Sequence, residues 1–107
     1  MSVFEVPADG PVIDNALDVI GDAFGTGAET VVIPVERLDP AFFDLRTGIA
    51  GEMFQKFVNY RLRLVILGDV GAHVAASNAF RDLVRESNRG RHVWFVANRA
   101  ELAARGT

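Results

Sequence analysis

The segment from Asp44 to Gly48 holds the side chains best suited to bind an anion or a partner. It reads Asp-Leu-Arg-Thr-Gly and directly precedes a long helical pattern. A threonine hydroxyl at a helix start accepts hydrogen bonds from the free amides of the first turn, and helix N-termini attract anions. Arg46 would add a charge-assisted hydrogen bond to a bound anion or to a phosphate on Thr47. The simpler interpretation is that Thr47 only caps the helix and Arg46 is solvated.

Residues 47–59 form the longest helical pattern of the chain. Their apolar side chains sweep an arc of roughly 200°, whereas a surface helix needs about 100°. One sheet face cannot cover such an arc, so either another helix packs beside it or part of it is a protein interface. The interaction or anion-binding surface predicted from these two segments consists of Asp44, Arg46, Thr47, Gly48, Glu52, Gln55 and Asn59.

A second set of side chains suits a different chemistry. In open α/β sheets, ligands bind at the carboxyl ends of the strands, and oxygen ligands there suit Mg²⁺. The alternative function is therefore a small-ligand-dependent or metal-dependent enzyme that uses Asp44, Glu52, Asp69 and Asn88. The two histidines lack zinc-ligand spacing, and no nucleophile elbow or Walker-type loop is present. In the favoured interpretation, which is an interaction surface and not this enzyme, we therefore expect no cofactor, no metal and no catalytic residue.

The composition narrows the function classes further. The chain has 107 residues, of which half are apolar, so it is not disordered, and its length fits one domain over residues 1–107. Without cysteine it has no disulfide, thiolate metal site or thiol nucleophile. The formal charge of −3 argues against nucleic acid or an anionic membrane as a partner. No membrane span or signal peptide is visible, so we expect a cytoplasmic protein.

Strand and helix patterns alternate along the chain. Apolar and β-branched runs predict strands at 3–6, 30–35, 62–67 and 92–96, and residues 11–13 are a candidate hairpin arm. This alternation is typical of an α/β fold. We expect a single, mostly parallel sheet of four to five strands, mixed at its N-terminal edge, with about four helices.

The helices are predicted from caps and apolar spacing. The first follows a cap at Asp14 and ends at Gly25-Thr26-Gly27, and the residues at helical spacing are Ile13, Ala16, Leu17, Ile20 and Phe24. After the helix at 47–59, two further helices follow caps at Ser77 and Asn98, and residues 71–76 are expected to be a loop.

Four stretches carry a family resemblance: residues 42–52, 55–61, 65–69 and 86–90, of which the first reads Phe-Phe-Asp-Leu-Arg-Thr-Gly-Ile-Ala-Gly-Glu. Through them the chain resembles, over nearly its whole length, a bacterial family known only as domain of unknown function 4180. The layout is also similar to the STAS fold of anti-sigma-factor antagonists, in which a serine in an Asp-Ser-Ser-Gly-like loop is phosphorylated. Here Leu45 follows Asp44, and the one hydroxyl of the loop, on Thr47, directly precedes Gly48.

These observations predict a STAS-like α/β domain that works as a non-catalytic regulatory or protein-interaction module. Its partner would be another protein or a second copy of the chain, and its working surface would be the Asp44–Gly48 loop with the helix that follows.

Overall fold

The computed structural model describes residues 2–105 of the chain. Its strands are β1 (Val3–Glu5), β2 (Thr30–Pro34), β3 (Arg63–Leu67) and β4 (Val93–Val96). Its α-helices are α1 (Ala16–Thr26), α2 (Ile49–Asn59), α3 (Gly71–Ala76), α4 (Asn78–Arg89) and α5 (Arg99–Ala104). Three 3₁₀ turns, Val35–Arg37, Pro40–Phe43 and Leu45–Thr47, connect β2 to α2.

Polar side chains define where three of the helices begin. The Ser77 hydroxyl accepts from the amide of Phe80 at 3.1 Å, and the Asn98 side chain accepts from the amide of Glu101 at 2.9 Å. Both predicted caps are therefore confirmed. The first helix is capped one residue later than predicted, because the Asn15 side chain, not that of Asp14, accepts from the Leu17 amide at 3.0 Å.

All four strands are parallel and lie in the order β1-β2-β3-β4. Because each strand lies beside its neighbour in sequence, right-handed crossovers place the connecting helices on one face of the sheet. That face carries the main core, where side chains of α1, α2 and α4 pack on residues such as Ile33 and Leu64.

The second face of the sheet is covered differently. It carries Val32, Val65, Trp94 and Val96, and Leu102 of α5 packs against them. Arg99, at the start of α5, forms a bidentate ion pair with Glu5 of β1. The last described helix therefore crosses this face and connects to the first strand.

The predicted α/β fold class is confirmed, with a difference at the N-terminal edge. β1 pairs with β2 in parallel, and residues 11–13 are not a strand. Arg37 explains this, because its guanidinium donates to the carbonyls of Pro7, Asp9 and Pro11 at 2.9, 3.2 and 2.6 Å. Its own carbonyl accepts from Ile13 at 2.8 Å. These bonds hold the segment away from the sheet, so the sheet is not mixed.

The predicted loop at residues 71–76 is wrong, since these residues form α3. The Asp69 carboxylate accepts from the Gly71 amide at 2.8 Å, which organises the turn before the helix. Val74 then packs against the main core and holds this short helix in place. Within residues 2–105, no helix has the length and apolar content that a bilayer crossing requires.

Candidate functional site

The Asp44–Gly48 loop is organised by contacts within itself. The Asp44 carboxylate accepts from the Arg46 amide at 3.1 Å and from the Arg46 guanidinium at 2.9 and 3.0 Å. Hydrogen bonds from the Arg46 side chain and amide lower the pKa of Asp44, and the same carboxylate raises the pKa of Arg46. The Arg46 guanidinium, predicted to serve a bound anion, is thus engaged by its neighbouring carboxylate.

Thr47 connects the two preceding turns, and its hydroxyl also accepts from the first amide of the helix, although Thr47 is not the N-cap residue. Its hydroxyl donates toward the carbonyls of Ala41 and Asp44, each at 2.8 Å, and accepts from the Ile49 amide at 3.3 Å. The helix begins at Ile49, and its N-cap is Gly48 with φ of 76°. The predicted helix start at Thr47 is therefore wrong by two residues, because a left-handed glycine separates the 3₁₀ turn from α2.

Two of the three predicted polar residues of α2 pair with each other along its exposed side, and the third pairs with Lys56, which was not predicted as part of the site. Lys56 donates to Glu52 at 3.1 Å, and the Gln55 side-chain amide donates to Asn59 at 2.8 Å. The opposite side is buried through Ala50, Met53 and Phe57. The structure therefore places Glu52, Gln55 and Asn59 together on one exposed surface, with the Asp44–Gly48 loop at its N-terminal end.

The wide apolar arc of α2 is covered mainly from within the chain. α2 contacts α1, β3 and the two 3₁₀ turns that precede it. Two of its apolar side chains remain on the surface, Ile49 at 36% exposure and Tyr60, the residue after its last turn, at 45%. Packing within the chain thus covers most of the apolar arc of α2, but it leaves Ile49 and Tyr60, at the edge of the arc, partly exposed to solvent.

An aromatic pair at this edge was not predicted as part of the site. Phe24 of α1 lies edge-on to Tyr60, with ring centroids 5.6 Å apart, and Phe24 is 51% exposed. Leu17, two turns earlier on α1, is also exposed. The sequence spacing indicates that Leu17 and Phe24 share one side of α1, because they lie seven residues, or two turns, apart. The buried Ala16 and Ala23 lie about 100° around the helix from them.

A concave site lies at the opposite end of the same surface. A cavity of about 290 Å³ is lined by Ile13, Asp14, Asp39, Ile49, Glu52, Met53 and Lys56. Its apolar lining consists of Ile13, Ile49 and Met53, and its charged lining carries three carboxylates and one amine. The α1–α2 surface, defined here as Leu17, Phe24, Ile49 and Tyr60 with the polar pairs of α2, therefore has a protruding aromatic end and a concave acidic end.

The alternative set of enzyme residues is not brought together. Asp69 and Asn88 line one cavity of about 270 Å³ beside the ends of β3 and β4, whereas Glu52 lines the cavity described above. The Asn88 side chain accepts from the Phe95 amide at 2.8 Å, which gives it a structural role. Among residues 2–105, no group of three or more histidine, aspartate or glutamate side chains is arranged to hold a metal ion.

A family model described as a domain of unknown function, DUF4180, matches residues 1–105. No curated protein and no solved structure matches the chain.

Proposed function

The chain belongs to the DUF4180 family, and because that family description carries no activity, we propose a function from the surface: a non-catalytic interaction module that pairs with a second copy of itself. The observation that carries the proposal is the aromatic pair, since Phe24 and Tyr60 are 51% and 45% exposed. Aromatic side chains are enriched in the centres of protein interfaces. Four of the six large apolar side chains exposed in the described chain lie on or next to α1 and α2.

The shape of the α1–α2 surface supports self-pairing. In a two-fold dimer, residue i of one copy contacts residue j of the other, and j contacts i. A two-fold axis across the helices would set the aromatic pair of each copy over the concave acidic end of the other. Both cavities would then be filled at once, and the Tyr60 hydroxyl of each copy would meet carboxylates at the rim of the other copy's cavity.

The distribution of charge supports the same arrangement. Arg61 follows Tyr60 at the aromatic end, whereas Asp14, Asp39 and Glu52 line the concave end. Antiparallel pairing therefore brings opposite charges together at both ends, which favours this orientation over the parallel one. Glu52, Gln55 and Asn59 would form the polar rim of the interface.

The Asp44–Gly48 loop has a supporting role in this proposal. Its internal hydrogen bonds fix the position at which α2 begins, and Ile49, the first residue of α2, lines the concave end. A change at Thr47 or Asp44 would therefore act on the interface through the position of α2. Phosphorylation of Thr47 would have the same effect, because it removes the hydroxyl proton that bonds to the two carbonyls.

Sedimentation equilibrium of the full chain tests the proposal. We expect dimers to appear as the protein concentration is raised to about 1 mM, a concentration at which an association free energy of about −4 kcal/mol is detectable. The double variant Phe24→Ser, Tyr60→Ser should be a monomer with an unchanged circular dichroism spectrum. Val3→Ser is the matched control, because Val3 is similarly exposed, at 44%, but lies on β1. A wild-type monomer throughout this range would refute the proposal.

A further inference from the structure

The turn that ends α2 has an unusual residue at its sharpest point. The Arg61 amide donates to the Val58 carbonyl and the Leu62 amide to the Phe57 carbonyl, each at 3.0 Å. This is the Schellman pattern, in which one residue takes the left-handed conformation. Arg61 has φ of 58° and is the one non-glycine residue with positive φ among residues 2–105.

The turn that ends α1 has the same bonds and a different residue. Gly27 donates to Phe24 at 3.1 Å and Ala28 to Ala23 at 3.2 Å, with φ of 74° at Gly27. The two turns precede neighbouring strands at the same edge of the sheet. Glycine is favoured at such a position because a Cβ crowds the following carbonyl. Arginine at position 61 therefore has a backbone cost that glycine would not have.

A cavity of about 420 Å³ lies at this edge, and the Arg61 side chain is part of its lining. Its charged and titratable lining consists of Arg61, Arg63, Arg91, His92 and one carboxylate, Glu29. In the part of the chain that is described, neither Arg61 nor Arg91 is in an ion pair. Positive charge is thus concentrated here, on a chain whose formal net charge is −3.

The sheet holds this cluster in place. Arg61 and Arg91 are thirty positions apart in sequence and line the same cavity because β3 and β4 are paired, with Leu64 opposite Val93. Arg63 donates to the Arg91 carbonyl at 2.8 Å, and its guanidinium carbon lies 4.2 Å from the centre of the Trp94 ring. The residues that line the cavity are therefore positioned by the paired strands β3 and β4 and by the hydrogen-bonded turn that ends α2.

We infer that this cavity binds a small molecule that carries an oxyanion group, with Arg61 and Arg91 as its direct ligands. Guanidinium groups form paired, charge-assisted hydrogen bonds with phosphate and carboxylate oxygens. The concave shape favours a small ligand. The residues of this site all belong to one copy of the chain. Because Arg61 would also face carboxylates of the second copy in the dimer proposed above, we expect self-pairing and anion binding to compete for it.

Calorimetric titration of the full chain at low salt tests the inference, with pyrophosphate and citrate as probes. We expect wild type to bind at least one probe below about 1 mM, and Arg61→Gly and Arg91→Ala to weaken that binding about tenfold each. Arg85→Ala is the matched control, because Arg85 is an exposed arginine of α4. Preference for pyrophosphate or for citrate then identifies a phosphate or a carboxylate ligand.

The thermal stability of Arg61→Gly provides a second readout. If arginine is present for binding, the glycine variant should melt about 4 °C higher while it loses affinity. A lower melting temperature would mean that the arginine stabilises the turn, and this would overturn the inference. Wild-type binding of neither probe, or equal binding by wild type and Arg61→Gly, would also overturn it.

Discussion

Helices α1 and α2 lie side by side on one face of the sheet and have eleven residues each, yet they differ at both ends. α1 begins with the Asn15 side-chain cap and ends at a left-handed glycine. α2 begins at Gly48 without a side-chain cap and ends at a left-handed arginine, Arg61. The ends of α1 are therefore stable by local chemistry, whereas those of α2 depend on the surrounding structure.

The buried residues show what holds α2 in place. Phe57 is fully buried and lies five residues before Leu62, which is 3% exposed, so a large apolar pair closes the turn around the left-handed residue. In α1 the equivalent positions are Ala23 and Ala28, which bury far less surface. The comparison indicates that tertiary packing at α2 offsets unfavourable backbone conformations that α1 avoids.

The sharpest way to break this comparison is to remove the packing at α2. Phe57→Ala should cost about 3–5 kcal/mol, because it leaves a cavity in the main core and removes the anchor of the turn. Urea unfolding followed by circular dichroism measures the loss. Val58→Ala is the control and should cost much less, since Val58 is only partly buried. A loss at Phe57 no larger than that at Val58 would contradict the packing argument.

Exchanging the two turn residues tests the backbone argument directly. Gly27→Arg should cost about 1–2 kcal/mol, because the left-handed conformation is unfavourable for a residue with a Cβ. No atom lies within 4 Å of a Cβ built at Gly27, so the loss would come from the backbone. Arg61→Gly should gain about 1 kcal/mol. The double variant should lie near wild type if the two neighbouring turns act independently, and a departure from the sum measures their coupling. A neutral Gly27→Arg would show that the two turns are not equivalent.

The two helix starts should respond to different substitutions. Asn15→Ala should cost about 1 kcal/mol as a lost cap, and Asn15→Ser should restore most of it. Thr47→Val should cost about 1 kcal/mol, because it removes the hydroxyl that bonds to two carbonyls, whereas Thr47→Ser should be close to wild type. Thermal unfolding of the four variants checks both pairs. If Thr47→Val matched Thr47→Ser, the hydroxyl would not be what fixes the start of α2.

The smallest expected effect is the pH dependence of the loop before α2. Because Arg46 lowers the pKa of Asp44, the folded state binds its proton less readily than the unfolded state. The contribution is therefore present above the usual carboxyl range and is lost as the pH falls through the lowered pKa. Asp44→Asn should destabilise slightly at pH 7, and the difference should vanish in strong acid. Urea unfolding at both pH values tests this, with Asp18→Asn on α1 as the control; a difference that persisted in acid would assign the loss to packing.

Much of the fold follows from local patterns. The β-branched and apolar runs of β2, β3 and β4, the caps at Ser77 and Asn98, and the glycine after α1 all act within a few residues, and all were predicted. The start of α2 was not, because Gly48 was interpreted as part of the helix rather than as a left-handed residue before it. α3 was missed because its six residues depend on Val74 packing against the core.

The candidate surfaces were harder to predict, for a reason of distance in the sequence. The polar pairs of α2 have a spacing of four residues, which a helical pattern predicts. The Phe24–Tyr60 contact and the Arg61–Arg91 cavity join residues from separate elements, and their positions depend on strand register. No local pattern records that register, so these features emerge only when the sheet is assembled.

The covering of the second sheet face by α5 has a consequence for how the protein folds. Until α5 has packed on the sheet, Val32, Val65 and Trp94 have no helix over them, whereas the first face can already be packed. A partly folded chain in this state offers an apolar sheet surface to chaperones and to other chains. Its vulnerable interval ends when Leu102 packs onto the strands and Arg99 reaches Glu5.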